Sequence, residues 1–202
     1  MSSHHFVKEQ QEPAVFLLNT QQVKYDQVAS LLEWVPTVLV WEECLEEVMS
    51  WGVKIDVILA TEEFQLKNMH LLEEQYPVRF LRSSDTSVLE NGLHYLHASQ
   101  HSGAYLVGFS HTKVSELDPF MQWMDLTVFE DRWRFYPIKS MHFKKWLPKN
   151  TIEIYGEEGM PVEISNSNGL IILPLHHATQ VDVPEGITEI KASKIFWIGE
   201  RV

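Results

Sequence analysis

Cysteine is almost missing from this chain: Cys44 is the single one among 202 residues. One thiol can neither close an intrachain disulfide nor build a cysteine-rich zinc site. Positive charge is also scarce, with 16 Lys and Arg against 28 Asp and Glu and a formal net charge of −12. That balance lacks the basic footprint of a general nucleic-acid binder. It also leaves any bound phosphate dependent on Mg²⁺ or on local backbone donors rather than on the overall field. No apolar run reaches the length that crosses a bilayer, and no internal repeat or low-complexity segment occurs. Residues 1–13, MSSHHFVKEQQEP, carry no apolar signal core and read as a short polar tail. The expectation is a cytoplasmic protein with neither nucleic-acid nor membrane partners. What is present is ordinary for a globular chain: 45% hydrophobic and 22% charged residues, enough for one domain or two small ones.

Apolar runs and helical spacings alternate over residues 14–124. Strands are expected at Ala14–Asn19, Thr37–Trp41, Asp56–Ala60, Val78–Leu81 and Ala104–Phe109. Helices are expected between them. Pro36 closes the first, and Gly52 is the natural stop of the second, Cys44–Trp51. The third spans Phe64–Glu74 with Leu66, Met69, Leu72 and Leu71 as its buried stripe. The fourth is capped by Ser84-Asp85 and buries Val88, Leu89, Leu93 and Leu96. This alternation implies an α/β domain whose mostly parallel sheet has helices on both faces. From residue 125 the rhythm changes. Short strands are expected at Asp125–Phe129, Trp133–Ile138, Thr151–Tyr155, Val162–Ser165, Leu170–Leu175, Thr179–Val183, Ile187–Lys191 and Ile195–Ile198. Turn residues separate them, so residues 125–202 read as an all-β sandwich, the domain boundary lying between about 125 and 150.

Chemistry concentrates in Val40–Phe64, VWEECLEEVMSWGVKIDVILATEEF, where carboxylates follow the ends of two strands. In open α/β sheets ligands bind at that edge. The same stretch resembles the thiamine pyrophosphokinase family. Trp41-Glu42-Glu43 stands where the family has Ala-Asp-Gly, Gly52-Val53-Lys54-Ile55-Asp56 where it has Gly-Ile-x-Pro-Asp, and Ala60-Thr61-Glu62-Glu63-Phe64 where it has Gly-Asp-Phe-Asp-Ser. Asp85-Thr86-Ser87-Val88 aligns with Asp-x-Thr-Asp, and Asn168-Gly169-Leu170 looks like the Gly-Leu hairpin of the family's sandwich.

The resemblance implies an α/β domain joined to a β-sandwich, a homodimer with active sites at the subunit interface, and Mg²⁺-dependent transfer of pyrophosphate from ATP to thiamine. It implies that Glu42, Glu63 and Asp85 act as catalytic and metal-binding carboxylates. Ser87, Ser110 and His111 would contact the nucleotide, and Trp197 or Trp133 would stack on thiamine. The departures favour an alternative, a catalytically inactive relative serving as a dimeric ligand-binding or regulatory module. Thr61 and Val88 replace two family aspartates, and Gly108-Phe109-Ser110-His111 is a shortened form of the Gly-Gly-Arg-x-Asp-His loop. The Ser-x-Ser-Asn segment has no counterpart in residues 186–202.

Each site residue also has a plainer explanation. Glu42 and Glu43 fit a solvated acidic helix start. Thr61 fits a helix cap with Glu62 and Glu63 in the first turn, and Asp85 fits another cap. Asp56 fits a turn hydrogen bond. Ser110 and His111 lack a nucleophile elbow. The tryptophans fit core or dimer-interface packing. His94, His97 and His101 recur at helical spacing without a fourth ligand, and adjacent His176 and His177 point to opposite faces of any strand.

Overall fold

The computed structural model describes residues 12–21, 23–176 and 179–202. The polar tail falls almost wholly outside them, as does His177. The chain forms two compact units. One takes the chain through Phe109 together with Leu117–Asp131; the other takes Ser110–Glu116 and Arg132–Val202.

The first unit runs β1 (Ala14–Leu17), α1 (Tyr25–Leu32), β2 (Val38–Trp41), α2 (Leu45–Ser50), β3 (Val57–Ala60), α3 (Glu62–Lys67), α4 (Leu71–Glu74), β4 (Arg79–Arg82), α5 (Val88–Ala98), β5 (Gly103–Val107) and β6 (Asp125–Glu130). Its strands lie in the order β6-β5-β1-β2-β3-β4, all parallel. β1, β2 and β3 are continuous apolar runs and are wholly buried, as strands covered on both faces must be. Val15 and Leu17 join Val28 of α1 and Leu45 and Val48 of α2 in one core. Phe16 points the other way, and its ring leaves no room for a Cβ on Gly92 of α5, which would come within 2.2 Å. Helices therefore cover both faces. β4 ends the order, and exposed Arg79 and Arg82 flank it, a charged guard for a sheet edge. Among the described residues no helix is long and apolar enough to cross a membrane.

Three expectations are corrected here. The single helix over Phe64–Glu74 is two short ones, because Asn68 leaves helical geometry and its side chain turns back to the Phe64 carbonyl at 2.8 Å. The break rotates the expected stripe outward: Leu66 and Met69 are 72% and 54% exposed, and only Leu71 is buried. The cap of α5 is Ser87, not Ser84-Asp85, which lie in the preceding turn. The strand starting at Asp125 pairs with β5 and belongs to the α/β unit rather than to the all-β part.

The second unit holds β7 (Trp133–Ile138), β8 (His142–Leu147), β9 (Asn150–Tyr155), β10 (Pro161–Asn166), β11 (Gly169–Pro174), β12 (Thr179–Val183), β13 (Gly186–Ala192) and β14 (Phe196–Arg201). They form antiparallel arrays β12-β9-β14-β7 and β11-β10-β13-β8. Ile152, Ile154, Phe196 and Ile198 of one array share a core with Phe143, Val162, Ile164 and Ile190 of the other. This is a sandwich. β8 was not among the expected strands. Its inward positions read Phe143, Lys145, Leu147, and the lysine interrupts the apolar alternation that marks a strand.

Candidate functional site

The carboxyl ends of the parallel strands converge on one edge of the first unit. The strand order reverses around β1, and in such sheets the crevice lies at that reversal. Here it is closed by backbone. Gly108, after β5, has φ +76, and a Cβ there would fall 1.8 Å from the Asn19 carbonyl oxygen. Only glycine permits that approach.

Beside it, Glu42 follows β2 and turns toward the end of β3. Its Oε2 accepts the Thr61 backbone N–H at 2.6 Å, and the Thr61 hydroxyl lies 3.1 and 3.2 Å from its two oxygens. Thr61 Oγ1 in turn accepts the Phe64 N–H at 3.3 Å, capping α3. The carboxylate is thus spent on holding a helix start. Glu62 pairs with Arg82 at 2.6 Å. Glu63 pairs with Lys67 one turn along the same helix, at 2.5 Å. The lysine's hydrogen bond and charge hold the Glu63 carboxyl below the usual range, although both side chains are exposed. Asp85 is exposed in the turn after β4.

After β4, hydroxyls replace carboxylates. Ser84 Oγ and Ser87 Oγ are 2.8 Å apart, the Ser84 N–H donates to Ser87 Oγ at 3.1 Å, and Asn91 Nδ2 donates to Ser83 Oγ at 3.1 Å. Asn91 and Ser83 were not singled out in the sequence, because an amide on a helix carries no signal until the turn folds beneath it. This edge can donate and accept hydrogen bonds, but its carboxylates are individually engaged or dispersed. Mg²⁺ demands near-octahedral oxygen ligands. Among the described residues no group of three His, Cys, Asp or Glu side chains is arranged to hold a metal ion. Glu42, Glu63 and Asp85 are not brought together as one ligand set.

Cys44, behind the edge, is buried, and burial pushes its thiol up to about 11. Such a thiol is inert. Asp56 accepts the Val38 N–H at 3.0 Å and ties β3 to β2 at the opposite edge. His97 stacks on Trp123 at 4.8 Å, whereas His101 is buried with its Nε2 2.9 Å from Thr37 Oγ1. The helical spacing of the histidines therefore brings together no ligand set.

In the second unit an aromatic face forms on the outer side of β7, β9 and β14. His111 stacks on Phe135 at 4.7 Å, Trp133 lies 6.0 Å from Phe135, and Tyr155 meets both His111 and Phe135 edge-on. Ser110 lies beside Thr112, its Oγ 3.0 Å from Thr112 Oγ1. Trp197 is only 3% exposed, so its ring is committed to packing. Trp133 is half-buried, with the Arg201 guanidinium 5.1 Å above its ring. Buried Glu153 accepts from the Tyr155 hydroxyl at 3.0 Å and from Gln180 Nε2 at 2.7 Å. Phe135, Tyr155 and Glu153 join this face only through strand pairing across long sequence separations, which no local motif announces.

No protein-family model matches the chain, and no curated protein sequence matches it. Solved structures do. A thiamine pyrophosphokinase from Bacillus subtilis superposes with a TM-score of 0.70 at 6% identity, over 94% of this chain and 99% of that one. The thiamin pyrophosphokinase of Geobacillus thermodenitrificans gives 0.69 at 6% identity, over 94% and 96%. The yeast thiamin pyrophosphokinase gives 0.65 at 7% identity, over 96% and 87%.

Proposed function

We propose that this chain, which has the fold of the thiamine pyrophosphokinases, is a non-catalytic ligand-binding module of that architecture. It binds thiamine or an adenine nucleotide as a homodimer, without Mg²⁺ and without transferring pyrophosphate. One observation carries the reading: the Glu42 carboxylate is occupied by the Thr61 N–H and hydroxyl. Thr61 stands where the resemblance places a metal-binding aspartate, so the position that would ligand the ion instead holds a neighbouring carboxylate.

Pyrophosphoryl transfer leans on charge neutralisation and positioning almost entirely. A sheet edge whose Glu42, Glu62 and Glu63 are tied to Thr61, Arg82 and Lys67, with Asp85 apart from them in an exposed turn, is poorly built for either. The serine and asparagine hydrogen-bonding groups after β4 remain suited to a polar ligand.

Calorimetry with thiamine, ATP and AMP, each with Mg²⁺ and with EDTA, tests this. The expected result is saturable binding of at least one ligand, with the same affinity in EDTA, and no AMP release from ATP plus thiamine. Mg²⁺-dependent AMP release that disappears in Glu42→Gln would overturn it in favour of the enzyme.

A further inference from the structure

Two asparagines of the chain precede a glycine, Asn91-Gly92 and Asn168-Gly169. In such a pair the glycine amide nitrogen can attack the side-chain carbonyl carbon of the asparagine, because glycine has no Cβ to hinder the approach. The fold places the two pairs in opposite surroundings. Asn91 lies inside α5. Its Nδ2 has three acceptors in reach, Ser83 Oγ at 3.1 Å, Ser87 Oγ at 3.3 Å and the Arg82 carbonyl at 3.4 Å. Gly92 is buried against the Phe16 ring, and its N–H belongs to the helical ladder. Closing a ring here would require Asn91 to leave the helix and give up these contacts.

Asn168 sits at the tip of the hairpin between β10 and β11. Ser167 and Asn168 form its two-residue loop, and Asn166 pairs with Gly169 to close it. The Asn168 N–H donates to Asn166 Oδ1 at 2.9 Å, a side-chain turn that shapes the loop. The Asn168 side-chain amide, by contrast, is exposed and has no hydrogen-bond partner among the described residues. Gly169 is exposed too; it takes φ +117, and a Cβ on it would meet nothing within 4 Å. Both reacting groups therefore stand in open solvent. β11 is terminal in its array and pairs with β10 alone, so the closing pair frays more readily than a helix interior opens.

We propose that Asn168 is a site of spontaneous deamidation, with water as the only co-reactant, and that its conversion loosens β11. The Gly169 nitrogen bonds to Asn168 Cγ and gives up its proton. The Cγ–Nδ2 bond breaks, and the amide nitrogen departs with that proton as ammonia, leaving a cyclic imide. Water then opens the ring at either carbonyl. Addition at Cγ gives aspartate; addition at the backbone carbonyl gives isoaspartate, whose main chain runs through Cβ and Cγ. Nothing is oxidised or reduced. Either product places a new negative charge beside β11. The isoaspartyl product also lengthens the loop by one backbone atom, which strains the Asn166–Gly169 pairing that closes it. The inference rests on the hairpin alone and is independent of the proposed ligand binding.

Incubation of the full chain in mildly alkaline buffer made with heavy-oxygen water, followed by peptide mass mapping, tests this. Asn168 should convert at least about tenfold faster than Asn91, since the hairpin tip opens locally and the helix interior does not. The product should be a mixture of aspartate and isoaspartate, separable by chromatography. In urea the two Asn-Gly pairs should convert at similar rates, because the protection of Asn91 comes from the fold. Asn168→Gln should take up no label in that peptide and leave the melting temperature unchanged. The converted fraction, isolated by its added charge, should exchange the amide hydrogens of residues 170–173 faster than unconverted protein. Equal conversion of Asn168 and Asn91 in the folded chain, no conversion of Asn168 in the time that the unfolded chain converts, or unchanged exchange in β11 overturns the proposal.

Discussion

Thr61 decides how Glu42 behaves. An aspartate there would place a second negative charge beside Glu42; the threonine instead adds a hydroxyl donor to the backbone N–H and draws Glu42 in. Glu42→Ala should therefore destabilise the protein by about 1.5–3 kcal/mol, the range for a hydrogen bond to a charged group. Glu63→Ala should leave stability nearly unchanged, because its partner Lys67 is an exposed helix neighbour. Urea denaturation of both variants checks the contrast; equal effects would mean that the Thr61 contact carries no weight. His101 offers a second test. Burial lowers its pKa, with the Leu96 backbone and the Asp56 charge opposing without cancelling. The folded state therefore keeps the ring neutral, while the unfolded chain takes up a proton near 6.5. The stability tied to this group is complete above 6.5 and is lost as pH falls from there toward the lower folded value. Melting temperatures recorded from neutral to mildly acidic pH should fall less steeply for His101→Gln than for wild type.

At the scale of elements, the departures from expectation share a cause. Asn68 breaks one helix into two because its side chain competes for the backbone, and a residue-by-residue hydrophobic stripe cannot register that. β8 escaped detection because Lys145 faces inward to meet Glu200, a partner 55 residues away. β11 shows the opposite problem. Leu170, Ile171 and Ile172 are 59%, 48% and 67% exposed on a strand that ends its array. No charge guards this edge, unlike β4 with its arginines. Bare apolar edges invite pairing, and a second copy in the proposed homodimer is the partner expected to cover this one. Ile172→Lys, which would sit across from Glu163, should shift sedimentation toward monomer while leaving the melting temperature nearly unchanged. A wild type that is monomeric at all concentrations, or an unchanged dimer in the variant, would exclude pairing through β11.

For the whole molecule, what was legible follows from periodicity. Continuous runs such as VILA and AVFL became buried parallel strands, and closely spaced short runs became a sandwich, because alternation and burial are local consequences of side-chain order. The residues of the candidate site could be named from their places after strands. Their partners could not: whether Glu42 faces a metal or Thr61, whether Trp197 offers its ring or buries it, and whether Lys145 meets water or Glu200 depend on contacts between segments far apart in the chain. The order of residues by itself determined most of the strands and helices and the acidic strand ends. Tertiary structure alone decided which charges are free, because the energy of a carboxylate depends on what lies within a few ångströms of it, and only the folded chain sets those neighbours.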